Sequence, residues 1–340
     1  MKILLIGRAI KDRGLITNYS DMQSYYISRA LNGIGVETDY FSAPFTNVDE
    51  YCSKLVGEFQ ETQADHIVAL GVRFFSRLPK ELGAKISLAI DGLLCQIHDG
   101  SLFDDFPCDL NFTIREDEWR YIGNENNRLT RHHKRNWHIG WAADSTVFYP
   151  QQSNDTLRVF VDHPTFVANS LDATLNILMS LKELRDNYFV KKGGYLGFKH
   201  LEVRALHDDG VVPVDLDNIC IRPYFRTPIP MDLLALEFRQ AHLFFVTHAE
   251  SVGMCAIESA MAGAFVYAPL NAINPDRLKA IRHAEFKNSV DWNGLTLRDV
   301  NPESNSLYAR SNNWESVACK LVMGLIDKAP SLIDKKHFSN

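Results

Sequence analysis

Two glutamates, Glu250 and Glu258, are separated by seven residues in the stretch HAESVGMCAIESAMAGAFVYAP, which runs from His248 to Pro269. The apolar run LFFVTH (Leu243 to His248) leads into it as a strand, Ser251 to Gly253 makes the turn, and the residues beyond read as a helix. A helix that starts at the carboxyl end of a parallel strand presents unpaired backbone amides, and a diphosphate is an anion that suits them. Val252, Gly253 and Met254 would supply the amides, with Ser251 in the same turn, and Gly253 has no side chain to hold a phosphate away.

The two acids sharpen this reading. Glu250 lies in the loop ahead of the helix, whereas Glu258 lies within it, four residues beyond Met254 and next to Ile257, at the edge of the apolar face. A carboxylate tucked there is costly unless something donates hydrogen bonds to it. Sugar hydroxyls and a ribose diol are such donors. Each acid taken singly also has a plainer reading, Glu250 as a surface acid favoured by the helix dipole and Glu258 as an acid paired with a backbone group or an arginine. His248 could line the same pocket or cap the strand end.

The elements that must position these residues alternate along the chain. Lys2 to Gly7 is a continuous apolar run, the pattern of a parallel strand buried on both faces. Ser20 to Asn32 then places Met22, Tyr26 and Ala30 four apart and stops at Gly33 and Gly35, as a helix closed by glycine does. Further strands are expected at Val36 to Phe41, His66 to Gly71, Lys85 to Ile90 and Asp109 to Ile114. Pro150 and the polar stretch Gln151 to Asp155 mark a boundary, after which the pattern restarts with LRVFVD, a helix over Leu171 to Leu184, a strand over Asn218 to Tyr224, LFFVTH and AFVYAP. Strand and helix in alternation, twice over, predict two doubly wound parallel sheets. Trp314 to Lys328 reads as a closing helix, with Val317, Leu321 and Leu325 on one face.

Bulk properties agree with this division. A chain of 340 residues suits two domains, 46% hydrophobic and 23% charged residues describe a globular protein, and a formal charge of −6 argues against a nucleic-acid partner. The basic run Arg128, Arg131, His132, His133, Lys134, Arg135 allows peripheral contact with anionic lipid or a charged acceptor, although a solvated loop explains it as well. The six cysteines show no CxxC pair and no zinc spacing, so no metal site is expected, and they read as free thiols of a reducing compartment. The opening MKILLIG is too short for a signal peptide or a spanning helix, which predicts a cytoplasmic location. G-x-G-x-x-G, the P-loop and the G-x-S-x-G elbow are all missing, which counts against dehydrogenase, NTPase and serine hydrolase chemistry.

The segment E-S-V-G-M-C-A-I-E-S-A-M-A-G resembles the signature of glycosyltransferase family 4, a pair of glutamates with this spacing, the inner Gly253, and the tail Ala260, Met261, Ala262, Gly263. The junction HIGWAADSTVFYP is similar to the family's linker through Gly140, Asp144, Phe148 and Pro150. The resemblance implies an α/β fold of GT-B architecture, two Rossmann-like parallel-sheet domains facing a central cleft. Residues 1–150 would face the acceptor, 151–312 would hold the nucleotide-sugar, and 313–340 would form a helix and tail packing back on the first domain. By the same resemblance Glu250 contacts the donor sugar, Glu258 the ribose, and the amides around Gly253 the diphosphate. The implied reaction is hexosyl transfer from a nucleotide-diphosphate-sugar to a hydroxyl of a glycan, lipid-linked or small-molecule acceptor, with retention of configuration. It requires no metal and no cofactor beyond the donor itself, and it would serve a process such as polysaccharide biosynthesis.

Three departures from the family pattern stand out. The usual Gly-Gly loop after the first strand is reduced to Gly14 in KDRGLITN. The Arg and Lys that neutralise the diphosphate are absent from VDHPTFVANSLD, where His163 is the one potential cation. Arg222, Arg226 or Lys199 could compensate, with Arg226 preferred because YFRTP follows a strand end. The family's histidine near the donor sugar has His98, in QIHDG, as its candidate, although Asp91 occupies the more strand-terminal place. These departures leave two alternatives open: a GT-B-fold sugar-nucleotide epimerase or hydrolase, and a catalytically degenerate protein that binds a nucleotide-sugar.

Overall fold

A computed structural model describes residues 1–7, 9–13, 16, 19–42, 48–70, 86–90, 110–113, 136–162, 171–206, 222–224, 231–247, 254–273 and 278–328. The chain divides into two compact units, Met1–Trp141 with Trp314–Asn340, and Ala142–Asn313.

The first unit carries a six-stranded parallel sheet of β1 (Lys2–Ile6), β2 (Glu37–Phe41), β3 (His66–Leu70), β4 (Ile86–Ile90), β5 (Leu110–Thr113) and β6 (Asn136–His138), in the order β2-β1-β3-β4-β5-β6. Ile3, Leu4 and Leu5 are fully buried, as a strand covered on both faces requires. Helix α1 (Tyr19–Gly33) buries Met22, Tyr26 and Ala30, and the chain leaves it through Gly35 at φ +83°, where the Val36 amide returns to the Leu31 carbonyl. Helix α2 (Val48–Thr62) follows β2.

The second unit repeats the plan with β7 (Thr156–Val161), β8 (His200–Leu206), β9 (Arg222–Tyr224), β10 (Leu243–Phe245), β11 (Phe265–Pro269) and β12 (His283–Phe286), all parallel, in the order β12-β11-β10-β7-β8-β9. Its helices are α3 (Leu171–Leu184), which continues as a π-helical turn over Arg185–Val190, α4 (Met231–Gln240), α5 (Met254–Met261) and α6 (Pro302–Ala309). The core joins Val159, Val161 and Val203 of the sheet to Ile177 and Leu181 of α3, with Tyr195, Phe245, Tyr267 and Trp292 forming an aromatic layer.

Two strands go beyond the sequence reading of this half. β8 carries Glu202 and Arg204 on one face, where Glu202 accepts from Arg158 of β7 at 2.7 Å and Arg204 reaches both Glu202 and Glu237 of α4. The edge strand β12 has four residues. The boundary between the units falls ahead of Pro150. Val147 and Phe148 are buried in the second unit, Phe148 packs against Phe238, and the Gln152 amide donates to the carbonyls of Ala241 and Ala262.

The closing helix α7 (Trp314–Lys328) belongs to the first unit. It packs on α1, β5 and β6, stacks Trp314 on Tyr26, and accepts the Trp137 indole N–H at the Lys320 carbonyl. Gly324 makes this contact possible, since a Cβ there would lie 2.7 Å from the Trp137 ring and 2.9 Å from Phe112.

Candidate functional site

In the second sheet the chain moves outward from β7 through β8 to β9, then returns to the other side of β7 with β10. The order therefore reverses between β7 and β10, and ligands of open parallel sheets bind beyond the carboxyl ends of the strands at such a switch point. Pairing there is continuous to the strand ends: Phe245 lies beside Val161, and the Asp162 amide donates to the Phe245 carbonyl at 2.8 Å. Val246 and Thr247, just past β10, are fully buried, and α5 begins at Met254.

Small residues let α5 sit deep. Every residue from Ala256 to Met261 is buried, with the helix packed against β10, β11, α4 and α6. Gly263 ends it at φ +103°, hard against Pro302 at the start of α6, and the Asn305 amide of α6 donates to the Gly263 carbonyl at 3.1 Å. Ser259 turns its hydroxyl back onto the Ala256 carbonyl.

Glu258 lies within this helix at 4% exposure. Burial pushes its carboxyl up to about 8, and desolvation is the sole cause: no cation and no hydrogen-bond donor among the described residues offsets it. The second buried glutamate of the unit is a useful contrast. Glu237, at 3% exposure, receives both of its oxygens' bonds from Arg204, at 2.7 and 2.6 Å. The paired alternative considered for Glu258 from sequence is thus realised at Glu237, while Glu258 itself is left without a protein partner among these residues.

Of the residues read from the sequence as the donor site, Glu258 and Met254 are described, and they share α5, with Met254 half-buried at its first position. Glu250, His248, Ser251, Val252, Gly253, His98, Arg226 and Gly14 lie outside the described residues, as do His163 and Asp91. Lys199 does not serve as the compensating cation. Its backbone amide donates to the Asp155 carbonyl just ahead of β7, which puts it at the amino ends of β7 and β8, the edge opposite the start of α5. Among the linker residues, Asp144 holds its own turn together. Its carboxylate accepts from the amide and hydroxyl of Thr146 at 2.9 and 2.6 Å, and its carbonyl accepts from Val147 and Phe148.

Asp162 is the residue that sequence reasoning passed over. At 3% exposure it occupies the carboxyl end of β7, beside β10. Its signal in the sequence is an acid that ends the apolar run LRVFV. Among the described residues no three His, Cys, Asp or Glu side chains gather as metal ligands, Cys319 is an exposed free thiol, and no helix is long and apolar enough to cross a membrane.

No protein-family model matches the chain, and no curated protein matches it. Solved structures do, over nearly the whole length. Sucrose-phosphate synthase from Thermosynechococcus elongatus is 13% identical, with 99% of each chain covered and a TM-score of 0.55. Anabaena HepE in complex with UDP is 13% identical over 96% of this chain and 100% of that one, with a TM-score of 0.59. UDP-GlcNAc 2-epimerase from Methanocaldococcus jannaschii is 11% identical over 95% of this chain and 99% of that one, with a TM-score of 0.50. The likeness is one of fold: this chain has the GT-B architecture of two Rossmann-like parallel-sheet domains.

Proposed function

We propose that the chain is a glycosyltransferase that takes a hexosyl group from a nucleotide-diphosphate-sugar and transfers it, with retention and without a metal, to a hydroxyl of a glycan, lipid-linked or small-molecule acceptor. The observation that carries this reading is the Glu258 carboxyl, buried in the helix that follows β10 at the sheet's switch point and left without a protein donor among the described residues. A group so placed is costly to ionise alone, and the vicinal hydroxyls of a ribose would satisfy it. Support also comes from HepE, a protein of the same fold, which holds UDP in one crystal structure and UDP-glucose in another.

In this reading the family-4 resemblance supplies the remaining roles. Glu250 meets the donor sugar, the amides of Val252, Gly253 and Met254 meet the diphosphate, and His98 is the candidate for the family's histidine near the sugar, while Arg226 is the cation preferred in place of the missing Arg and Lys. The diphosphate oxygens help to accept the proton of the incoming hydroxyl. Calorimetric titration of the full chain with UDP-glucose tests the donor site: Glu258→Ala should weaken binding at least about tenfold, the loss of a charged hydrogen bond. Equal affinity in the variant and the wild type would remove Glu258 from the site.

A second reading rests on the likeness to UDP-GlcNAc 2-epimerase. An epimerase uses the same donor pocket and needs no acceptor. Proton NMR of a UDP-sugar incubated with the protein alone separates the two, since only an epimerase changes the sugar's configuration without an acceptor present.

A further inference from the structure

Among the described residues no charged group on the elements around α5 pairs with Glu258. Helix α4 brings Asp232, Glu237 and Arg239. Glu237 is held by Arg204, and the Arg239 guanidinium donates to the Val147 carbonyl and lies over the Tyr149 ring at 4.1 Å. Helix α6 and its C-cap carry Glu303 and Arg310, β11 carries Tyr267, whose own ionisation burial drives upward, and β10 carries no titratable group. Among the described residues none contributes to the state of Glu258, whose proton affinity burial raises. A buried carboxyl with no neutralising partner holds its proton, because the neutral acid avoids most of the desolvation cost.

A ligand diol reverses that balance. Two hydroxyls donating to one carboxylate favour the ionised form and can do nothing comparable for the neutral acid, whose own O–H must then compete for an acceptor. Resting on the nucleotide-sugar reading above, we propose that donor uptake is coupled to proton release: the vicinal diol of the nucleotide-sugar displaces the Glu258 proton to solvent, so that donor affinity rises with pH. The step balances simply. The carboxyl O–H bond breaks, its proton goes to buffer, and the carboxylate accepts two O–H donors in its place.

UDP-glucose is a suitable probe because its diphosphate is esterified at both ends and has no proton to lose near neutrality. The full chain is titrated with it by calorimetry from about pH 6 to about pH 9, in two buffers of unlike ionisation enthalpy. The expected result is a Kd that tightens about tenfold per pH unit up to about pH 7.5 and levels above about pH 8, with close to one proton released at the low end. Glu258→Gln should bind more weakly than the wild type above about pH 8, with a flat profile and no proton release. A flat wild-type profile, or a slope that survives in Glu258→Gln, overturns the coupling while leaving the donor site intact. Failure of the wild type to bind UDP-glucose at any pH, with the carbon-13 carboxyl signal that Glu258→Gln removes titrating at the ordinary glutamate position, overturns the coupling and the reading of Glu258 beneath it. The same signal titrating near pH 8 in the free protein supports the resting state from which the coupling starts.

Discussion

Trp141 and Trp314 meet edge to face, with 4.8 Å between ring centroids and an interplanar angle of 73°. They stand at the two points where the chain passes between its compact units, and both belong to the first, where Trp314 also stacks on Tyr26 at 5.1 Å. Trp314→Ala removes the shared member of this cluster and should cost about 3–5 kcal/mol. In urea unfolding followed by circular dichroism and fluorescence, the transition of the first domain should move to lower urea. The emission of Trp292, buried in the second domain's core, should respond at its original midpoint.

The free protein's stability should carry the mark of Glu258. Its folded value of about 8 lies above its unfolded one of 4.5, so the contribution is fully present below about pH 4.5 and is lost as pH rises through about 8. Glu258→Gln should therefore be the more stable protein at pH 9, by several kcal/mol at most, with the difference vanishing near pH 4.5. Denaturant melts of both proteins across this range check the sign.

Glu237 predicts the opposite behaviour for its partner. Arg204→Met strands a buried carboxylate and should destabilise the second domain by about 3–5 kcal/mol. The double change Arg204→Met with Glu237→Leu should recover most of that loss, which a double-mutant cycle in urea measures.

Two helical glycines should respond with opposite signs. Gly324→Ala pushes a methyl group into Trp137 and Phe112 and should cost about 1–3 kcal/mol. Gly57, within α2, has nothing within 4 Å of its added Cβ, so Gly57→Ala should stabilise by about 0.5–1 kcal/mol. Thermal melts of the two single variants decide both.

The strands that sequence reasoning identified are the ones whose burial is written in composition. Ile3 to Ile6, Val159 to Val161 and Phe265 to Ala268 are apolar runs because both of their faces are covered. β8 is not legible in the sequence, because its Glu202 and Arg204 are satisfied across the sheet by Arg158 and by α4, partners that only tertiary structure brings together. Glu258 was legible through spacing, since its place on the apolar edge of a helix predicts burial. Its lack of a partner among the described residues was not legible, because any of several arginines would have served as well on paper. The same holds for Lys199, whose charge is evident in the sequence but whose position at the amino edge of the sheet depends on where β8 starts.

The return of α7 to the first unit sets an order of events during synthesis. Residues up to Trp141 leave the ribosome first, but the helix that covers β5, β6 and α1 comes from beyond residue 313. The second unit is one continuous segment and can close as soon as it has emerged. The first unit must wait, with Phe112 and Trp137 uncovered, until the residues beyond 313 have been translated.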